Sequence, residues 1–312
     1  MSAHSAAPRA VVFAYHDVGV RCLLVLLAGG VDVALVVTHD DDPAENVWYG
    51  SVKALCREHG IAAAVYPHPA DPALLAAVRA ARPDFLFSFY YRHMLPAGLL
   101  ALAPAYNMHG SLLPAFRGRA PVNWAVLHGA DRTGATLHEM TARPDAGAIV
   151  AQTAVPILPD DTAYDVFAKV TVAAEQTLWG VLPALLAGTA PRRANDLRQG
   201  GYFGARTPAD GRIDWGRDAQ TVYNLHRAVA PPYPGAHTEL GGVVLTLVRA
   251  RLRPGRADGL PPGLRVLQGA IVGVCGDGGM LAIERLRAGA VEVGADALHA
   301  MLAAAGAAHD PT

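Results

Sequence analysis

Apolar and polar positions in the first 90 residues fall into short alternating blocks. Positions 11–14 form an apolar run of strand length, 18–28 read as a helix stopped by Gly29 and Gly30, and 33–38 are a β-branched strand. A polar, acidic loop occupies 40–46. Ser51 is placed to cap a helix reaching His59, with Gly60 as its stop; 61–66 return as a strand, Asp71 caps 72–81, and 84–89 are a further strand. Strand–helix units in succession imply parallel strands joined by right-handed crossovers, with helices on both faces of the sheet. Further on, 134–141 and 148–155 read as strands flanking the turn-rich 143–147, and a long helix opens at Asp161 or Thr162 and runs to Leu186.

The pattern then changes. Residues 188–201 carry Pro191, Arg192, Arg193, Arg198, Gly200 and Gly201 and read as a linker. Beyond them, 212–215, 243–248, 271–275 and 280–285 are short strands separated by Gly and Pro, with one helix at 219–229, as in a small β-rich, barrel-like domain. The expected organisation is a first domain at 1–189, a linker at 190–205, a β-rich domain at 206–304 and a frayed tail at 305–312.

Composition narrows the function. The 312 residues are 52% apolar and 17% charged, which is globular. Twenty-six basic against 27 acidic residues, a net charge of -1, leave no electrostatic footprint for a phosphate backbone, so no nucleic-acid partner is expected. The most apolar stretch, 23–37, is broken by Gly29, Gly30 and Asp32, and a membrane span needs about 20 uninterrupted residues. No membrane partner and no signal peptide are therefore expected. Cys22, Cys56 and Cys275 are too few and too scattered for a disulfide framework, which points to a reducing, cytoplasmic setting. Asp40, Asp41 and Asp42 read as a solvated acidic loop and not as a metal site. The first strand is followed by Tyr15-His16-Asp17-Val18-Gly19, with no glycine fingerprint for a dinucleotide.

The informative segment is Asn107-Met108-His109-Gly110-Ser111-Leu112-Leu113-Pro114. Alternation along a strand puts Asn107 and His109 on one side, and open α/β sheets bind ligands at the carboxyl ends of their strands. An amide donor and an imidazole converging there can stabilise an oxyanion and move a proton, with Asp145 orienting the imidazole. Pattern alone leaves open a second reading, in which these three side chains only satisfy turn backbone. His138 reads as structural and Arg117 as a solvated loop charge. His16 and Asp17 either face a ligand or cap the first helix, and Trp48 and its neighbouring tyrosines either stack on a base or pack the core edge.

The run Asn107 to Pro121, then Thr133-Gly134-Ala135-Thr136-Leu137-His138-Glu139-Met140, then Asp145-Ala146-Gly147-Ala148-Ile149, resembles the formyltransferases that use 10-formyltetrahydrofolate. Their signature is N-x-H-x-S-L-L-P with a downstream aspartate. Within the family the chain is most similar to the formyltransferase domain of the bifunctional polymyxin-resistance protein, which N-formylates UDP-4-amino-4-deoxy-L-arabinose. Supporting stretches are Val12-Phe13-Ala14-Tyr15-His16-Asp17, Phe87-Ser88-Phe89-Tyr90-Tyr91-Arg92-His93 and Phe203-Gly204-Ala205-Arg206-Thr207-Pro208.

The resemblance implies a Rossmann-like catalytic domain with a smaller β-rich domain, and 10-formyltetrahydrofolate as co-substrate without a metal. It implies His109 for proton transfer, Asn107 as oxyanion donor, and Asp145 bonding His109 and raising its pKa. It assigns folate contacts to His93, Met94, Leu95, Arg119, Thr141, Ala142, Arg143, Pro144 and Asp145. The partner implied is a small-molecule nucleotide sugar, in lipid A modification and polymyxin resistance. The alternative within the family is methionyl-tRNA formyltransferase; the acidic 40–45, where the tRNA enzymes carry a basic insertion, argues for the sugar. The bifunctional relative has a dehydrogenase-decarboxylase domain that is not found by Thr312, so that step is expected of a separate protein.

Overall fold

The computed structural model describes residues 7–43 and 45–307. The chain forms two compact units, one of Met1–Pro121, Arg132–Pro156 and Phe167–Gly204, the other of Val122–Asp131, Ile157–Val166 and Ala205–Thr312. In chain order the elements are β1 (Arg9–Ala14), α1 (His16–Ala28), β2 (Asp32–Thr38), α2 (Val52–Glu58), β3 (Ala63–Val65), α3 (Pro72–Ala81), β4 (Phe85–Phe89), α4 (Ala97–Leu100) and β5 (Ala105–His109). They continue with β6 (Arg117–Gly118), α5 (Pro121–Leu127), β7 (Arg132–Glu139), β8 (Ile149–Pro156), α6 (Ala163–Leu186) and β9 (Tyr202–Phe203). The remainder are α7 (Ala219–Val229), β10 (Ala236–Leu240), β11 (Val243–Arg253), β12 (Gly263–Leu267), β13 (Ala270–Val274), β14 (Met280–Ala288), β15 (Val291–Glu292) and α8 (Ala295–Ala307).

The first unit is a seven-stranded sheet in the order β3-β2-β1-β4-β5-β7-β8. The strands from β3 to β5 are parallel, as the alternating blocks predicted. β7 runs antiparallel to both β5 and β8; the β7–β8 pair is a hairpin, because 140–148 is too short for a crossover. Ala10 through Ala14 are wholly buried, so both faces of β1 are covered. Val11, Phe13, Val37, Leu74, Val78, Leu86 and Leu99 form the core on one side. The caps predicted at Ser51 and Asp71 form: Ser51 Oγ accepts from Ala54 N at 3.2 Å, and Asp71 Oδ1 from Ala73 N at 2.8 Å. The order reverses at β1, with β2 on one side and β4 on the other, which opens a crevice at their carboxyl ends.

Two expectations change. The stretch read as a free linker, 190–205, is tied to the first unit as far as Gly204. Arg193 and Ile149 exchange both backbone hydrogen bonds at 2.8 Å, and β9 pairs in parallel with β6. Gly200, at φ +72, lies against the Pro114 carbonyl, an approach that a side chain would block. The chain after Ala303, read as frayed, remains helical in α8 to Ala307; residues 308–312 of the expected tail, 1–6 of the polar start and residue 44 of the acidic loop lie outside the described residues.

The second unit is a curled antiparallel sheet, β10-β11-β14-β13-β12, with β15 on β14. β11 breaks register with β14 around Arg249 and Ala250, which frees the Ala250 N–H to donate to His226 Nε2 on α7 at 3.1 Å. Burial pushes the His226 imidazole down to about 4, helped by the Arg227 charge. In the unfolded chain that imidazole takes a proton below about 6.5, in the folded chain only below about 4. The unfolded state therefore binds more protons in this window, and stability falls as pH drops through it. Urea unfolding at pH 7 and pH 4.5 should show the loss, and His226→Gln should reduce its size; an equal pH slope in the variant would exclude His226 as a source.

Candidate active site

β5 ends at the carboxyl edge of the first unit's sheet and delivers Asn107 and His109. In the β5–β7 ladder Asn107 lies directly opposite His138, and His109 opposite Thr136. Directly opposed residues share a face, so His138 joins the site. Asn107 Nδ2 is 3.1 Å from His138 Nε2. His138 Nδ1 lies 2.8 Å from the Glu139 carbonyl, an acceptor only, so that nitrogen carries a hydrogen, while Nε2 faces both the Asn107 amide and, at 3.5 Å, Asp145 Oδ1. One amide hydrogen of Asn107 is thereby held, and the second stays available to a ligand oxygen.

His109 Nε2 lies 2.9 Å from the Phe116 carbonyl, and its Nδ1 lies 3.5 Å from Asp145 Oδ1. Both ring nitrogens face acceptors, so the imidazole can take a second proton without losing a partner. Burial nevertheless lowers its pKa below the ordinary value and outweighs the opposing pull of Asp145 and of the Phe116 carbonyl; His138 adds slightly to the lowering. Asp145 acts on His109 in the expected, raising direction, but the net shift is downward. The buried ring loses more hydration than the carboxylate returns. His109 rests neutral and can accept a proton.

Asp145 stays ionised. Burial alone would raise it, but His109, His138 and the Gly118 N–H, which donates to Oδ2 at 2.7 Å, together hold it at about 2. Its backbone is left-handed at φ 48, a region that Asp tolerates better than most residues. Gly147 follows because a Cβ there would land on the Glu139 carbonyl oxygen. Asn195 Nδ2 donates to the carbonyls of Asp145 at 2.9 Å and Gly147 at 3.2 Å.

The other positions singled out fall as follows. His93, Met94 and Arg119 are exposed; partial burial, then the nearby His68 and the Arg119 and Arg92 guanidinium groups, lower the His93 pKa. Leu95 is buried in the core, so only its backbone can meet a ligand. Thr141, Ala142 and Arg143 are exposed and Pro144 is half-buried; Thr141 Oγ1 closes the turn by donating to the Arg143 carbonyl at 2.8 Å. Arg117, read as a solvated charge, is buried, because β6 pairs with β9.

His16 packs within aromatic rings, stacked on Tyr49 at 3.8 Å with Phe167 and Trp48 edge-on at 4.6 and 4.7 Å. Asp17 accepts from Gly50 N at 2.7 Å and so ties down the loop; it does not cap α1. The acidic loop is engaged as well: Asp41 accepts from Tyr15 at 2.7 Å, Glu45 clamps Arg92 at 2.8 and 2.6 Å, and Asp40 pairs with Lys53. Among the described residues no group of three or more His, Cys, Asp or Glu is arranged for a metal ion, and no helix is long and apolar enough to cross a membrane.

The structure brings two further side chains to this set: His138, read from the sequence as structural, and Asn195, which the sequence reading did not single out. Strand parity could have found the first, since 136 and 138 share a face of the strand expected at 134–141. Nothing local marks Asn195.

An open α/β sheet with an amide donor, a neutral imidazole and an ionised carboxylate at its carboxyl edge suits attack on a carbonyl carbon and the proton transfers that follow. The sequence profile of the formyl transferase family matches residues 21–182, and that of the formyl transferase C-terminal domain matches 206–298. The chain belongs to the formyltransferase family and is a formyltransferase enzyme.

Solved structures share the fold. An N-formyltransferase from Helicobacter canadensis, in complex with folinic acid and dTDP-3-aminofucose, is 15% identical with a TM-score of 0.68, over 89% of this chain and 98% of that one. A sugar N-formyltransferase from a Shewanella species is 18% identical with a TM-score of 0.63, over 78% and 96%. HypX from Aquifex aeolicus, in complex with tetrahydrofolic acid, is 16% identical with a TM-score of 0.64; the match covers 94% of this chain but 47% of HypX.

Proposed function

We propose that the chain transfers the formyl group of 10-formyltetrahydrofolate to the 4-amino group of a UDP-linked amino sugar, UDP-4-amino-4-deoxy-L-arabinose in particular. The observation that carries this reading is the convergence of Asn107, His109 and Asp145 at the sheet edge of a formyltransferase-family chain. The folate and dTDP-sugar bound by the Helicobacter enzyme support the two substrate classes.

In this reading the neutral amine attacks the formyl carbon. The free amide hydrogen of Asn107 meets the oxyanion. His109 takes the proton that the nitrogen loses, and Asp145 stabilises the resulting imidazolium. The C–N10 bond then breaks as the proton passes to N10, leaving tetrahydrofolate and the formamide. His93, Met94, the backbone of Leu95, Arg119 and the 141–145 turn (Thr141, Ala142, Arg143, Pro144, Asp145) would hold the folate, without a metal. A cytoplasmic catalyst of 1–189 with a β-rich domain at 206–304, serving lipid A modification, completes the proposal.

The test is a panel of UDP-, dTDP- and GDP-linked amino sugars together with charged initiator tRNA. The UDP-4-amino sugar should show the highest kcat/KM. Formylation of the tRNA, with binding that weakens steeply as salt is added, would replace the sugar reading with the tRNA one.

A further inference from the structure

Residues 190–203 cross the first unit as a strap. Near one end Arg193 exchanges backbone bonds with Ile149 at the start of β8, and its guanidinium donates to Gln152 Oε1 at 3.1 Å. Near the other, the N–H groups of Arg117 and Arg119 donate to the carbonyls of Gly201 and Phe203 at 3.0 and 2.9 Å. The strap thus sets β6, and β6 carries the Gly118 N–H that holds the Asp145 carboxylate. Between these anchors Asn195 spends both amide hydrogens on the carbonyls of the Asp145 turn, on either side of Ala146. One face of the turn is therefore fixed through its backbone by Asn195 and the other through its carboxylate by Gly118, on the β6 strand that the strap pairs.

We propose that Asn195 is a positioning residue: it clamps the left-handed turn at Asp145 and so aims the carboxylate at His109. The proposal rests on the reading of Asn107, His109 and Asp145 as the catalytic set. A left-handed non-glycine residue persists only where its surroundings over-determine it, and the two carbonyl bonds from Asn195 supply that. Without them the turn can relax, and a displacement of about 1 Å at a reacting group can cost up to about 10²-fold in rate. The charged or titratable groups that face His109 are Asp145 and His138; of the two, only Asp145 sits on the turn that Asn195 grips.

Asn195→Ala should lower kcat about tenfold or more while KM for folate stays within about twofold. It should also move the His109 imidazole pKa, read by NMR without substrates, further down, because the carboxylate that favours the imidazolium retreats. Asn195→Gln, which keeps a donor amide, should recover most of both. Should the alanine variant fail to fold, Asn195→Leu, of similar bulk and with no donor, takes its place. Wild-type kcat and wild-type imidazole pKa in the variant that lacks a donor overturn the proposal. A wild-type chain that formylates no acceptor sinks the functional reading instead, and the NMR comparison still judges Asn195.

Discussion

Replacing His109 by alanine lowers kcat by about 10² or more and leaves the KM for 10-formyltetrahydrofolate within a few-fold. The imidazole is the one neutral proton acceptor of the Asn107, His109 and Asp145 set, since Asp145 is ionised and Asn107 can only donate from its free amide hydrogen. Removing a general base or an oxyanion donor typically costs 10²-fold or more. Asn107→Ala should give a loss of similar size, and the double variant should lose much less than the product of the two, because groups that act as one unit are not additive. Single-turnover formyl transfer with the folded variants is the measurement. Near-native turnover by a folded His109→Ala chain would remove His109 from the mechanism.

Gly118→Ala should be a strongly damaging single methyl group in the first unit. Gly118 sits at φ +99, where an L side chain is strained, and its Cβ would land on the Phe203 carbonyl oxygen, which is backbone and cannot swing aside. Left-handed strain alone costs about 1–3 kcal/mol, and overpacking costs about as much again. A loss of about 3 kcal/mol or more is expected, seen as a Tm lower by roughly 6–12 °C. Activity should fall beyond what the fraction unfolded explains, because the Gly118 N–H is a ligand of the Asp145 carboxylate. Gly204→Ala is the control: a Cβ there meets nothing within 4 Å, so its stability should be unchanged. Equal melting of the two variants would show that the β6–β9 contact does not constrain the site.

The β1–β4 blocks and their helices were legible because each carries its own signal. An apolar run bounded by Gly29 and Gly30, or a cap such as Asp71 one residue before Pro72, depends on neighbours a few positions away. The hairpin of β7 and β8 was legible as two strands and a turn. Its antiparallel setting beside β5 was not, since pairing partners are chosen by the whole sheet. α8 escaped notice because its alanine-rich run has little amphipathic contrast.

By itself the sequence determined the alternation that makes a parallel sheet, the parity that puts Asn107 and His109 on one face, and the Asn–His–Asp pattern shared with the formyltransferases. These are local or periodic properties, and the chain expresses them before it folds. Only the tertiary structure decided the rest. It placed His138 opposite Asn107, brought Asn195 from a stretch read as a linker to the Asp145 turn, buried Arg117 under β9, and set the balance by which His109 rests neutral. Each of these depends on groups far apart in sequence, or on how much water the fold removes from an ionisable ring. Such distances and hydration losses exist only once the chain has folded.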